Sequence, residues 1–120
     1  MILETAYLTD EEKIAACRLA EEAGAAFVKT STGFASSGAT LHDVKLMRDA
    51  VSRSVEVKAA GGVRSLDTLL AMFALGATRF GTSSTEALLR EAELRKGDDG
   101  LVPVPLAAAV DTAAAGERGY

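Results

Sequence analysis

A single cysteine, Cys17, stands among 120 residues, so no intrachain disulfide can form and a reducing, cytoplasmic setting is expected. Cys17 itself reads as a small apolar residue on a helix rather than a working thiol. Basic residues form no block. Thirteen Lys and Arg against 17 Asp and Glu are scattered along the chain, for a net charge of −4. That pattern excludes a nucleic-acid surface and a polybasic membrane anchor. No apolar run approaches the roughly 20 residues a spanning helix needs. The opening Met1-Ile2-Leu3-Glu4 meets a charge at once and lacks the design of a signal peptide. Both prolines, Pro103 and Pro105, fall near the end, where with Gly97-Asp98-Asp99-Gly100 they mark a loop. Disorder is excluded by an average globular composition, 48% apolar and 25% charged, and the length suits one domain with a modest core.

What is present repeats as strand, loop and helix. Met1 to Glu4 reads as the stub of a strand. Thr9 with Glu12 forms a capping box opening a helix whose apolar face is Ala16, Leu19, Ala20 and Ala23, closed by Gly24. Ala25 to Ser31 is the next strand, and Gly33 to Gly38 a loop of small residues. Thr40 with Asp43 caps a helix with the face Leu41, Val44, Met47 and Val51. Val55 to Ala59 is a third strand, followed by Gly61-Gly62. Ser65 caps a helix with Leu66, Leu69, Leu70 and Phe73 at helical spacing. Ala77 to Thr82 is a fourth strand, and Ser83-Ser84 opens a helix to about Arg95. This βα rhythm predicts a parallel sheet. It divides the chain into a body, residues 1–96, and a C-terminal tail, residues 97–120, with a weak Ala-rich helix from Leu106 to Ala115. The expectation for the tail is a mobile terminus.

Two lysines carry the chemical signal. Lys29 and Lys58 each end a short β-like run just before a Gly-containing loop. Alternation puts Val55 and Val57 on one face and Glu56 and Lys58 on the other, and sets Val28 opposite Lys29. On neighbouring parallel strands about 4.8 Å apart, both ammonium groups enter one enclosed space. Two such cations disfavour each other's charged form, which leaves one amine neutral and nucleophilic near pH 7. A parallel sheet is covered on both faces, so an inward lysine needs a reason. Gly61-Gly62 and Gly81-Thr82-Ser83-Ser84 follow successive strands, and small residues there let backbone amides approach an anion at a helix start. Phosphate is the expected ligand, as in the loops after strands 7 and 8 of (β/α)₈ barrels. Arg79 is expected inward, paired with Glu56, and His42 on the surface. Glu4 closes the stub and is left without a role.

Together, Ile2-Leu3-Glu4-Thr5, Phe27-Val28-Lys29-Thr30-Ser31-Thr32-Gly33, Val57-Lys58-Ala59-Ala60-Gly61-Gly62-Val63-Arg64 and Arg79-Phe80-Gly81-Thr82-Ser83-Ser84 resemble the deoxyribose-phosphate aldolase family, class I aldolases, in order and spacing. The resemblance runs from Ile2 to about Leu89. It implies an α/β fold of the TIM-barrel type, here about four βα units matching strands five to eight. It implies that Lys29 forms an imine with substrate, with Lys58 assisting proton movement, and that Gly61, Gly62, Ser83 and Ser84 hold a 5-phosphate. Thr32 and Gly81 join that candidate binding set. The implied reaction is reversible cleavage of 2-deoxy-D-ribose 5-phosphate to glyceraldehyde 3-phosphate and acetaldehyde, with no metal or organic cofactor. Tyr120 is a further candidate, because some members end in a tyrosine that reaches the site. Phe34 stands where some members carry a lysine, and the family's third-strand aspartate has no counterpart.

A half-barrel leaves two unpaired sheet edges and an open interior. Self-association into a homo-oligomer, docking on a separate N-terminal half, and a truncated product all follow from that geometry. The rival to an enzyme is a non-catalytic fragment or association module that retains a phosphate pocket. Another Schiff-base phosphosugar aldolase is the second enzymatic alternative.

Overall fold

In the computed structural model, which describes residues 1–107 and 109–110, helices and strands alternate as the sequence predicts. A 3-10 turn, Thr5–Tyr7, leads to α1 (Asp10–Glu22), β1 (Phe27–Lys29), α2 (Leu41–Ala50), β2 (Glu56–Ala60), α3 (Leu66–Ala74), β3 (Ala77–Gly81) and α4 (Thr85–Arg95). The three strands are parallel in the order β1-β2-β3. The expected first strand is reduced to one parallel bridge between Ile2 and Lys29. It is pinned there by Leu3 N–H to Lys29 O at 2.9 Å and Thr5 N–H to Thr30 O at 3.0 Å.

The three predicted N-caps form. Thr9 Oγ1 accepts from Glu12 N at 3.3 Å while the Glu12 carboxylate accepts from Thr9 N at 2.8 Å. Thr40 Oγ1 accepts from Asp43 N at 3.0 Å, and Ser65 Oγ from Thr68 N at 3.2 Å. Each cap satisfies an otherwise orphaned amide of the first helical turn. The core lies between the sheet and its helices, where Val28, Val57, Ala59 and Ala77 meet Cys17, Val44 and Met47. Burial of a Val or Met side chain stabilises by about 1.5–3 kcal/mol.

Two helices are rotated from the predicted faces. On α1 the buried residues are Lys13, Cys17 and Ala20, and Leu19 is 64% exposed. The 13/17/20 stripe faces α2 because Asp43 there accepts a hydrogen bond from the Lys13 ammonium at 2.7 Å. On α3, Leu66, Leu70 and Met72 are buried while Phe73 is 49% exposed. That helix meets the sheet on one flank, through Met72, and α4 on another, through Leu66 and Leu70 packed on Leu88. A single stripe cannot describe two contact surfaces.

The expected Arg79–Glu56 ion pair is absent among the described residues. A register shift between Val57 and Lys58 aligns Arg79 with Lys58, and the guanidinium reaches across β2 to lie 4.3 Å from the Phe27 ring centroid. His42 is half-buried rather than on the surface, with its Nε2 2.7 Å from Asp10 Oδ2. Beyond α4, a turn closes with Gly97 N–H to Leu101 O at 2.9 Å. Val102 then packs on the Leu66, Leu70 and Leu88 cluster, and Val110 is buried in the main core. Tyr120 and most of the Ala-rich run lie outside the described residues.

Candidate active site

The face of the sheet away from the helices is where the alternation puts chemistry. Lys29 and Lys58 are register partners on β1 and β2, so both leave their strands on the same side. Each is half-buried, beside the fully buried Val28 and Val57. The extra residue Thr78 at the β2–β3 register shift lets Ala77 and Phe80 face the helices while Arg79 and Gly81 share a side with Lys58 and Ala60. The bulge thus re-aims β3 where it meets the lysines. Gly81 keeps that corner clear, because a Cβ there would stand 3.7 Å from Lys58 Cε and 3.1 Å from Ala60 Cβ.

At the C-terminal ends of the strands lies a cavity of about 350 Å³. It brings together Lys29, Thr32, Gly61, Gly62, Gly81 and Ser83, six of the residues singled out from the sequence, with Arg64 and Thr82. Gly61 and Gly62 have φ of +83° and +78°, a consecutive left-handed pair that only glycine adopts without strain. Two predicted residues do not line it. Lys58 is one of them, although its Cε comes close to Gly81. Ser84 instead borders a separate groove with Glu86 and Arg90, and its amide already donates to Thr82 Oγ1 at 3.0 Å.

The supporting contacts were mostly illegible in the sequence. Thr30, fully buried, donates through Oγ1 to Ala60 O at 3.2 Å and accepts from Ala60 N at 3.1 Å. Its side chain thereby extends the β1–β2 ladder where the backbones part. Thr82 Oγ1 donates to Val63 O at 2.6 Å, tying the two loops together. Thr32 gives both of its donors to Glu4: its N–H at 3.2 and 3.3 Å to the two carboxylate oxygens, and its hydroxyl to Oε2. Arg64, a cation just after Gly61-Gly62, was signalled by its place in the motif and carried no assignment. Ser31 Oγ is buried with no hydrogen-bond partner among the described residues.

A larger cleft of about 530 Å³ opens between the 3-10 turn, α1 and α2. Asp10, His42 and Asp43 bring ligand atoms within 4.8 Å of one another there. The cationic place is already taken, because Lys13 Nζ donates to Asp43 at 2.7 Å and to Asp10 at 3.3 Å. Against its partial burial, hydrogen bonds from His42 and Lys13 hold the Asp10 carboxyl below the usual carboxylate range. Against its own burial, the bonds and charges of Asp43 and then Asp10 hold the Lys13 ammonium above its ordinary value. This network clamps α1 to α2. It is structural.

Comparison with known proteins fits the same geometry. The family model for "DeoC/LacD family aldolase" matches residues 2–88. A deoxyribose-phosphate aldolase of Bacteroides thetaiotaomicron is 59% identical over 98 residues, 81% of this chain and 41% of that protein. One of Thermococcus gammatolerans is 62% identical over 84 residues, 70% of this chain and 37% of that protein. Among solved structures, the tetrameric deoxyribose phosphate aldolase of Aeropyrum pernix superposes with a TM-score of 0.69 at 32% identity, over 75% of this chain and 39% of that one. The chain therefore spans about two fifths of the length of these relatives, and its βα units are an arc of the TIM barrel. No helix among the described residues is long and apolar enough to cross a membrane. By sequence over most of its length and by the arrangement of its strands and loops, this chain belongs to the DeoC/LacD aldolase family.

Proposed function

We propose that this chain carries the imine-forming centre of a class I aldolase acting on 2-deoxy-D-ribose 5-phosphate. The observation that carries the reading is the alignment of Lys29 with Lys58 on adjacent parallel strands, with Lys29 lining a cavity together with Gly61, Gly62, Arg64 and Ser83. In this reading the Lys29 amine adds to the substrate carbonyl and loses water to give the protonated imine. That cation draws the electrons of the C2–C3 bond as the C3 hydroxyl gives up its proton. Glyceraldehyde 3-phosphate leaves, and the remaining enamine takes a proton at carbon and is hydrolysed to acetaldehyde. Lys58 moves protons beside it, while backbone amides of the glycine loop, the Arg64 guanidinium and Ser83 hold the phosphate.

A second reading, a half-barrel whose function is association, is favoured by one observation. β3 has no partner on its outer edge among the described strands, and open edges invite pairing. We infer a self-associating cytoplasmic protein in which imine formation belongs to this chain and full turnover to a closed barrel. Borohydride trapping with acetaldehyde tests the first part: added mass on Lys29, lost in Lys29→Leu, is expected, and no adduct refutes the enzyme. Light scattering tests the second, and a monomeric mass at micromolar concentration removes it.

A further inference from the structure

The geometry points to a role for Glu4, which we propose sets substrate selectivity by keeping anionic carbonyl compounds away from Lys29. The inference rests on the Schiff-base reading above and adds the class of carbonyl compound that the lysine end excludes. Among the described residues, Glu4 is the sole non-glycine with a positive φ, at 59° with ψ 64°. An L-residue in that left-handed conformation is unfavourable, and such conformations persist where the surroundings impose them. Here they do. Leu3 N–H to Lys29 O and Thr5 N–H to Thr30 O fix the backbone on both sides of Glu4. The carboxylate is thereby turned onto Thr32, accepting from its amide at 3.2 and 3.3 Å and from its hydroxyl. Thr32 Oγ1 accepts in turn from Phe34 N–H at 3.2 Å.

Two consequences follow. Thr32 lines the cavity beside Lys29, yet both of its donors already serve an anion, so it has nothing to offer a phosphate. A second anion beside Thr32 also feels the charge of Glu4, whose carboxylate is bonded to that residue. The cations on the same face, Lys29, Lys58 and Arg79, would otherwise draw carboxylates in, and Glu4 offsets them where the imine forms. Gly61, Gly62, Arg64 and Ser83 also line the cavity; no acidic side chain lines it, and Glu4 acts at one remove, through Thr32. In this arrangement a neutral aldehyde carbon sits at Lys29 and the phosphate at the glycine loop, and 2-oxo acids or aldehydo acids are rejected. Glu4 acts through charge and through Thr32, as a positioning residue.

The test is competitive borohydride trapping with acetaldehyde and glyoxylate, reading the ratio of the two adducts on Lys29 by mass spectrometry. In each case the amine displaces the carbonyl oxygen as water, and borohydride delivers hydride to the imine carbon. Glu4→Gln removes the charge and keeps an acceptor. Glu4→Gly removes the carboxylate and relieves the left-handed backbone, so it serves if the glutamine variant folds poorly. Both are expected to raise the glyoxylate-to-acetaldehyde ratio about fivefold, the effect of one unit charge at the mouth of a half-open site. Glu4→Asp, which keeps the charge, should hold the ratio within about twofold of the parent. A loss of packing alone would depress both adducts together and leave the ratio unmoved. An unchanged ratio in the glutamine and glycine variants, with the parent still trapping acetaldehyde, overturns the role of Glu4 and leaves the Schiff-base reading standing. Absence of any adduct in the parent overturns both.

Discussion

Replacing Gly38 by alanine tests how the loops that form the site are held. A Cβ on Gly38 would lie 2.3 Å from both C and O of Gly61, all of it backbone. Ordinary contact begins near 3.4 Å, so the two loops must part by about 1 Å, and close-packed interiors resist such shifts. The parting also stretches the Ala39 amide, which donates to Ala60 O at 3.1 Å and Gly61 O at 3.0 Å. Overpacking costs about 1–3 kcal/mol and a lost hydrogen bond about 1 kcal/mol, for a total of about 2–4 kcal/mol. With a urea m-value of about 1.5 kcal/mol/M, the unfolding midpoint should drop by about 2 M. Gly33→Ala is the control, because its φ is +100° and a Cβ meets nothing within 4 Å. It carries only backbone strain, about 1–2 kcal/mol. Inorganic phosphate should raise the parent's midpoint by mass action and raise that of Gly38→Ala much less, since the displaced loop is the proposed phosphate wall. A Gly38→Ala midpoint within about 0.3 M of the parent would refute the claim that this contact is tight.

Four further outcomes are expected. Lys13→Met should destabilise by about 3–5 kcal/mol, because it strands the buried Asp43 carboxylate, and adding Asp43→Leu should recover most of the loss; a double-mutant cycle with no coupling contradicts this. The Asp10 carboxyl is held low, so its contribution is present above pH 4 and lost as pH falls through its folded value; Lys13 is held high, so its contribution is present below about pH 10.5 and lost above it. A thermal-melt profile flat across both limits counts against the clamp. Ser31→Ala should be neutral or stabilising by up to about 1 kcal/mol, since the buried hydroxyl has no partner to lose; a loss above that size would reveal a partner. Burial pushes the Cys17 thiol up to about 11, so the native protein should resist iodoacetamide at pH 8 and react fully in urea. Fast native alkylation would mean that α1 opens.

The elements were legible because their signals are local. Capping pairs such as Thr9 with Glu12 announce a helix start within four residues, and the alternation around Lys29 and Lys58 assigns a face without knowledge of the partner strand. Rotations were not. Leu19 and Ala16 continue an apolar period, yet what turns α1 inward at Lys13 is an aspartate 30 residues away on α2. Met72 lies off the leucine stripe of α3 and is nonetheless buried along with Leu66 and Leu70, since α3 serves two neighbours. The Arg79–Glu56 expectation failed for another reason: Arg79 is aligned with Lys58, two residues beyond Glu56, and its guanidinium stacks on the Phe27 ring across β2 instead, a contact that alternation alone does not announce.

Within the site, the residues that would touch a ligand were visible and those that hold them in place were not. Lysine at a strand end and paired glycines are unusual residue choices for those positions, so they stand out one at a time. Thr30 and Glu4 do not. A threonine in a strand is ordinary, and nothing in its neighbours says that its hydroxyl replaces a ladder bond to Ala60. A left-handed backbone is detectable in sequence when glycine supplies it, as at Gly61 and Gly62, and hidden when a glutamate is forced into it. The force comes from Lys29 and Thr30, more than twenty residues downstream, through bonds on either side of Glu4. A residue strained by the same backbone that carries the candidate nucleophile is mechanically coupled to it: freeing Glu4 relaxes the Leu3–Lys29 and Thr5–Thr30 bonds as well as the Thr32 contact. Substituting Glu4 therefore tests charge and strand-end geometry together, and the glutamine variant, which removes the charge alone, set against the glycine variant, which removes both, separates them.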